Sequence, residues 1–135
     1  MTFVLEAVYR NDKPPAMLKT AEDIAAFVAE LLKSDWEHTA AAVYARDEAA
    51  DPDAFPDHEL LVGVEPTRAA LRYTGDGTWY SHGDHVNPNG VEFAYFGTGH
   101  DFPADSEVPL SLVRQAMAEL LAGGGKRPTC VTWQE

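Results

Sequence analysis

The chain has 135 residues, 45% of them hydrophobic and 24% charged, a size and balance that suit one globular domain and argue against disorder. Its 22 acidic and 10 basic residues leave a formal net charge of −12. That charge argues against nucleic acid and anionic membrane surfaces, which are bound mainly through Lys and Arg.

The N-terminal run MTFVLEAVYR is apolar but broken by Glu6, with no basic leader and no small-residue cleavage site. No secretion signal is expected there, and a cytoplasmic protein is. No window approaches 18 uninterrupted apolar residues. Residues 3–10 are rich in β-formers and read as a strand, followed by a Pro-Pro loop at 11–15. Residues 20–35 read as a helix: Ile24, Phe27, Val28, Leu31 and Leu32 form one apolar stripe. Thr20 is its expected N-cap, with Glu22 and Asp23 in a first turn that favours anions. Residues 38–46 read as a strand, 47–57 as an acidic loop with two prolines, and 58–66 as a strand ended by Pro66. Residues 69–81 form a hairpin turning at Gly75-Asp76-Gly77, residues that accept positive φ. A strand at 91–97 and a loop at 98–108 follow. The second helix spans 108–125, with Val113, Ala116, Met117, Leu120 and Leu121 as its stripe. Pro109 belongs in its first turn, and Gly123 is the expected left-handed cap. A last strand runs over 129–135.

This order predicts an α+β fold: a single mostly antiparallel sheet of about six or seven strands with two helices packed on one side, in one domain over residues 1–135. The strand aromatics Tyr73, Trp79, Tyr80, Phe93, Tyr95 and Phe96 are expected to be shared between a core face and an outward face where partners dock.

The stretch SHGDH (81–85) is the most suggestive for chemistry. His82 and His85 are three apart, Asp84 is a further ligand type, and His100 joins them if the loops converge. Zinc needs three or four such groups in a tetrahedron. Yet the stretch sits among Gly83, Pro88, Asn89 and Gly90, as a polar loop would. Ser81, His82 and Asp84 are neighbours, whereas a catalytic triad is assembled from residues that the fold brings together. The glycine clusters at 75–77, 97–99 and 123–126 read as turns, since none opens a helix as a phosphate cradle does. Cys130, the one cysteine, reads as a small packed residue. No cofactor and no metal are expected. The charge pattern is stronger: residues 47–59 carry Asp47, Glu48, Asp51, Asp53, Asp57 and Glu59 without a Lys or Arg. Asp101, Asp105 and Glu107 make a second group. Such runs are either solvated loops or faces that steer a cationic protein.

The C-terminal segment FPADSEVPLSLVRQAMAELLAGGGKRPTCVTWQE (102–135) resembles the first-numbered family of bacterial polymorphic-toxin immunity proteins. The blocks DHELLVGVEP and GDGTWYSHG resemble actinobacterial members. The resemblance is good over residues 57–135 and loose over the first 56. Arg127, Pro128, Trp133 and Glu135 match the family's ending after its Gly-rich bend, and by that resemblance Gly123, Arg127, Pro128 and Trp133 are scaffold. It implies a cytoplasmic, non-enzymatic antidote, a monomer or weak homodimer, encoded beside a toxin of the nucleic-acid-targeting kind, deaminase-class or nuclease. On that reading the acidic groups Asp47, Glu48, Asp51, Asp53, Asp57, Glu59, Asp101 and Asp105 meet the toxin's basic cleft and occlude its active site. The alternatives are a small metal-dependent hydrolase using His82, Asp84 and His85, and a generic acidic adaptor.

Overall fold

A computed structural model describes residues 2–10, 12–35, 38–51 and 54–135. The elements are β1 (Phe3–Val8), β2 (Ala16–Leu18), α1 (Ala21–Leu32), β3 (Ala40–Asp47), β4 (Glu59–Val64), β5 (Ala69–Thr74), β6 (Thr78–Ser81), β7 (Val91–Tyr95), β8 (Thr98–Phe102), α2 (Leu110–Ala122) and β9 (Trp133–Gln134). Seven strands form one sheet in the order β2-β1-β3-β4-β5-β6-β9, and every neighbouring pair is antiparallel. This is the expected α+β fold, with one addition: β7 and β8 pair with each other as a separate hairpin.

The two faces of the sheet follow from the period of two along each strand. Leu5, Ala7, Val43, Leu60, Val62 and Leu71 point inward. There they pack against Ile24, Phe27, Val28 and Leu31 of α1 and Val113, Ala116, Met117 and Leu120 of α2. Both helices therefore lie on this face. The outward set at one end of the sheet is small: Ala40, Ala42 and Ala70, with Gly63 among them. These residues and Leu61 make a shallow dish that receives Val91, Phe93 and Phe102 of the β7–β8 hairpin. A Cβ at Gly63 would lie 2.3 Å from Cγ of Phe93, so the strand carries glycine where the ring rests. Thr39 ties the hairpin down: its N–H donates to the Ala94 carbonyl (2.9 Å), and its Oγ1 accepts from the Ala94 N–H (2.8 Å).

Thr20 caps α1 as expected, and Asp23 completes a reciprocal pair: Thr20 Oγ1 accepts from Asp23 N–H at 3.1 Å, and Asp23 Oδ2 accepts from Thr20 N–H at 3.2 Å. Several local expectations need correction. Residues 98–102, expected in a loop, are β8. Residues 129–135, expected as a strand, pair only at Trp133–Gln134. Pro109 is the extended N-cap of α2 and does not enter its first turn. Gly123 has φ −89°, and the left-handed residue is Gly124 (φ 64°). The Gly124 N–H donates to the Leu121 carbonyl and the Gly125 N–H to the Leu120 carbonyl, the paired bonds of a Schellman end. The β5–β6 hairpin turns where expected, but Gly75 and Gly77 do not have positive φ. Both sit close under rings: a Cβ would lie 3.1 Å from the Tyr73 ring at Gly75 and 2.9 Å from the Trp79 ring at Gly77.

Candidate functional site

The acidic loop between β3 and β4 is built on a strand that outruns its neighbour. β3 pairs with β4 only over Ala40–Val43, yet continues along β1 to Asp47. The Ala45 N–H is left without a ladder partner and donates instead to Nε2 of the buried His58 (2.9 Å). Since Nε2 accepts, the ring proton is on Nδ1, which donates to Asp57 Oδ1 at 2.9 Å. The imidazole thus stands in for a missing strand residue. The bond from His58 is the main cause that holds the Asp57 carboxyl below its ordinary range. The ring is covered by Gly125 (φ 101°), where a Cβ would sit 2.4 Å from Cε1.

Further bonds hold described residues of the loop. Arg46 Nη1 donates to the Ala54 carbonyl (3.0 Å), Asp47 Oδ1 accepts from the Ala49 N–H (2.9 Å), and the Ala54 N–H donates to the Asp51 carbonyl (3.0 Å). The described part of this loop holds Phe55 in solvent with 98% of its surface exposed. Asp47, Asp51 and Asp57 surround one shallow depression together with Phe3 and Phe55. Glu59 lines the adjoining depression with Tyr44, Phe55 and Asp57. Glu48 is paired with Lys19 (3.2 Å), and Asp53 lies outside the described residues.

The second acidic group is not brought to this place. Asp101 is exposed on β8, opposite Glu92. Asp105 is engaged internally: Oδ2 lies 3.2 Å from His82 Nε2, and Oδ1 accepts from Gln134 Nε2 (2.9 Å). The Gln134 bond, ahead of His82, lowers its carboxyl below the usual range.

SHGDH is divided between scaffold and solvent. Ser81 is fully buried, accepting from the Leu71 N–H (3.0 Å) and donating to the Ser106 carbonyl (2.6 Å). His82 is tied to the chain through its N–H to the Thr132 carbonyl (2.8 Å), while Asp84 and His85 are exposed. His100 does not converge with them; its Nδ1 lies 3.5 Å from Arg72 Nη1, beside Tyr95. Among the described residues no group of three His, Cys, Asp or Glu side chains is arranged to hold a metal.

The C-terminal ending makes contacts within the chain. Arg127 lies over the Trp79 ring (4.2 Å to its centroid), and Trp133 Nε1 donates to the Pro128 carbonyl (2.8 Å). Glu119 accepts from the Thr129 side chain and N–H and from the Cys130 N–H, which draws its carboxyl down to about 2. Burial, then the Glu119 carboxylate, push the half-buried Cys130 thiol up to about 11.

Sequence reasoning missed a partly buried network on the outer face of the sheet. Tyr44 donates to Glu59 Oε2 (2.8 Å), and Arg72 Nη2 donates to Glu59 Oε1 (3.3 Å). Desolvation, then the Glu59 bond, raise the Tyr44 hydroxyl well above the usual phenol range. Phe55 had a legible signal, as the one aromatic in an acidic, proline-flanked loop. His58 had none.

Fold and surface together define a small acidic α+β domain that presents a pinned acidic loop. The family model for Immunity protein Imm1 matches residues 12–135. The chain belongs to the Imm1 immunity protein family, and its partner is accordingly a cognate toxin. A search of curated proteins finds no match. No described helix is long and apolar enough to cross a membrane.

Proposed function

We propose that this immunity protein neutralises a nucleic-acid-acting toxin, deaminase-class or nuclease, by laying its acidic β3–β4 loop over the toxin's basic substrate cleft and closing it. It performs no reaction itself and works in the cytoplasm. The observation that carries the reading is the gathering of Asp47, Asp51 and Asp57 around one depression on a chain of net charge −12. An enzyme that handles DNA or RNA carries Lys and Arg along its cleft. A pinned acidic loop matches that cleft in sign, and its internal bonds lower the ordering cost of binding. For the hydrolase reading, His82, Asp84 and His85 line one depression with Glu107, but among the described residues no three His, Cys, Asp or Glu side chains are arranged to hold a metal.

The test uses an inactivated form of the toxin domain encoded beside this chain. Replacing Asp47, Asp51 and Asp57 together by Lys changes the net charge by +6, to −6. Association of the unchanged protein is expected to fall steeply with ionic strength. The variant is expected to associate about 10-fold more slowly at low salt, with a flatter dependence. Equal association rates and equal salt slopes would remove the loop from the contact.

A further inference from the structure

The acidic loop steers, but charges alone do not hold a complex, and the structure carries a second feature beside it. The β7–β8 hairpin rests on the alanine-lined half of the outer sheet face and also touches the other half, where Tyr44 packs against its cluster and His100 Nδ1 lies 3.5 Å from Arg72 Nη1. On the other half Tyr44, Glu59 and Arg72 remain partly exposed. Their charges are already paired: Glu59 takes bonds from both Tyr44 and Arg72, and Arg46 Nε lies 3.0 Å from Glu6 Oε1. Covering this half would therefore bury no unpaired ion among these groups, the expensive event at an interface.

Two exposed phenylalanines flank the outer face. The first is Phe55, which shares a depression with Tyr44 and Glu59. The second is Phe96, 38% exposed, stacked on Tyr95 at 4.4 Å between centroids and edge-on to His38 at 6.5 Å. Tyr95 contacts His100, which in turn meets Arg72. Phe96 has φ 51°, the only non-glycine residue with positive φ among the described residues, and Gly97 follows it at φ 76°. A turn with two positive φ values favours Asn-Gly. A bulky ring at the first position is costly, and such cost is characteristically kept at functional sites.

We infer that the open half of the outer sheet face, with Phe55 and Phe96 as its two anchors, is the docking surface for the cognate toxin. The occupant is a protein with apolar recesses bordered by basic side chains. The recesses take the two rings, and the basic border meets Asp47, Asp51 and Asp57. The inference rests on the toxin-neutralising reading and adds to it a division of labour: acids set the rate of encounter, aromatics the lifetime of the complex.

The test compares Phe55→Ala and Phe96→Asn in binding to the same inactivated toxin domain. Phe55 is almost wholly in solvent, so its loss leaves the fold unchanged. Phe96→Asn relieves the turn and is expected to raise the unfolding midpoint. Each variant is expected to bind about 30-fold or more weakly, through faster dissociation at a nearly unchanged association rate. A more stable Phe96→Asn protein that binds more weakly separates docking from folding. If the unchanged protein binds and both variants bind equally well, this inference fails while the toxin-neutralising reading stands. If the unchanged protein does not bind that domain, both fail. Sedimentation that shows a dimer dissociated by Phe55→Ala would make the face a self-association surface and overturn the inference.

Discussion

Gly63→Ala tests the seating of the β7–β8 hairpin with a single methyl group. The added Cβ would fall 2.3, 2.4 and 2.7 Å from Cγ, Cδ2 and Cδ1 of Phe93, where carbon atoms settle at about 3.5–4.0 Å. One partner has to move by more than 1 Å, roughly. β4 is not free to recede, because it is paired on both sides, with Ala40 and Ala70 opposite Gly63. Phe93 is equally confined: it is fully buried, with its ring edge-on to Phe102 at 5.4 Å, which in turn meets Tyr80 at 5.7 Å. The expected cost is that of overpacking, about 1–3 kcal/mol. At about 2.1 cal/mol/K of unfolding entropy per residue, 135 residues give about 280 cal/mol/K, so a 2 kcal/mol loss lowers Tm by about 7 °C. The assay is thermal and urea unfolding of a double-mutant cycle with Phe93→Ala. Phe93→Ala alone is expected to cost about 3–5 kcal/mol. In that background Gly63→Ala is expected to be neutral or to stabilise by up to about 1 kcal/mol, since glycine weakens a strand relative to alanine. A Gly63→Ala cost equal in both backgrounds would refute the assigned contact, and no cost in either would refute the packing of the hairpin on the sheet.

Two further outcomes follow from the polar scaffold. Ser81→Ala removes the partner of the Leu71 N–H and the donor to the Ser106 carbonyl; unfolding in urea is expected to show a loss of about 1–3 kcal/mol for each group left unpaired. Glu119→Gln weakens the clasp on Thr129 and Cys130 and is expected to cost on the order of 1 kcal/mol at pH 7, a modest figure because the site is solvent-screened. The Glu119 pKa is lowered in the folded protein, from an ordinary 4.5 to about 2, so its contribution is complete above about pH 4.5 and lost as pH falls toward 2. Urea midpoints of the two proteins should therefore converge on acidification, and a gap that is independent of pH would exclude the carboxylate as its source.

The elements legible in the sequence were those whose residues carry a full period by themselves. α1 and α2 each show an apolar stripe, and β5–β6 shows two β-rich runs around a glycine turn. β8 was hidden because Thr98–Phe102 includes a glycine and has one strongly apolar residue, Phe102; its strand form comes from pairing with β7. β9 was overextended because Thr129 and Cys130 look β-forming, while their N–H groups are taken by Glu119 from α2. Three consecutive glycines gave no means of choosing which one turns left-handed. Asp47, Asp51 and Asp57 were legible as a cluster because they are close in sequence and remain close in the fold. Asp105 read as part of an acidic surface because the sequence does not show that His82 and Gln134 reach it.

The C-terminal ending, which carries the family resemblance, and the acidic loop are distant in sequence but mechanically joined. The left-handed turns at Gly124 and Gly125 bring bare backbone against Phe3 and His58, where a Cβ would lie 2.5 and 2.4 Å from the nearest ring atoms. Tyr73 holds that bend in place through its hydroxyl, which donates to the Gly125 carbonyl at 2.7 Å. His58 in turn fixes Asp57 and the sheet end at Ala45. The glycines thus allow the end of α2 to serve as the floor on which the loop is set. A floor of backbone constrains His58 and, through its Nδ1–H bond, Asp57, while Phe55 stands almost wholly in solvent and is open to substitution without refolding.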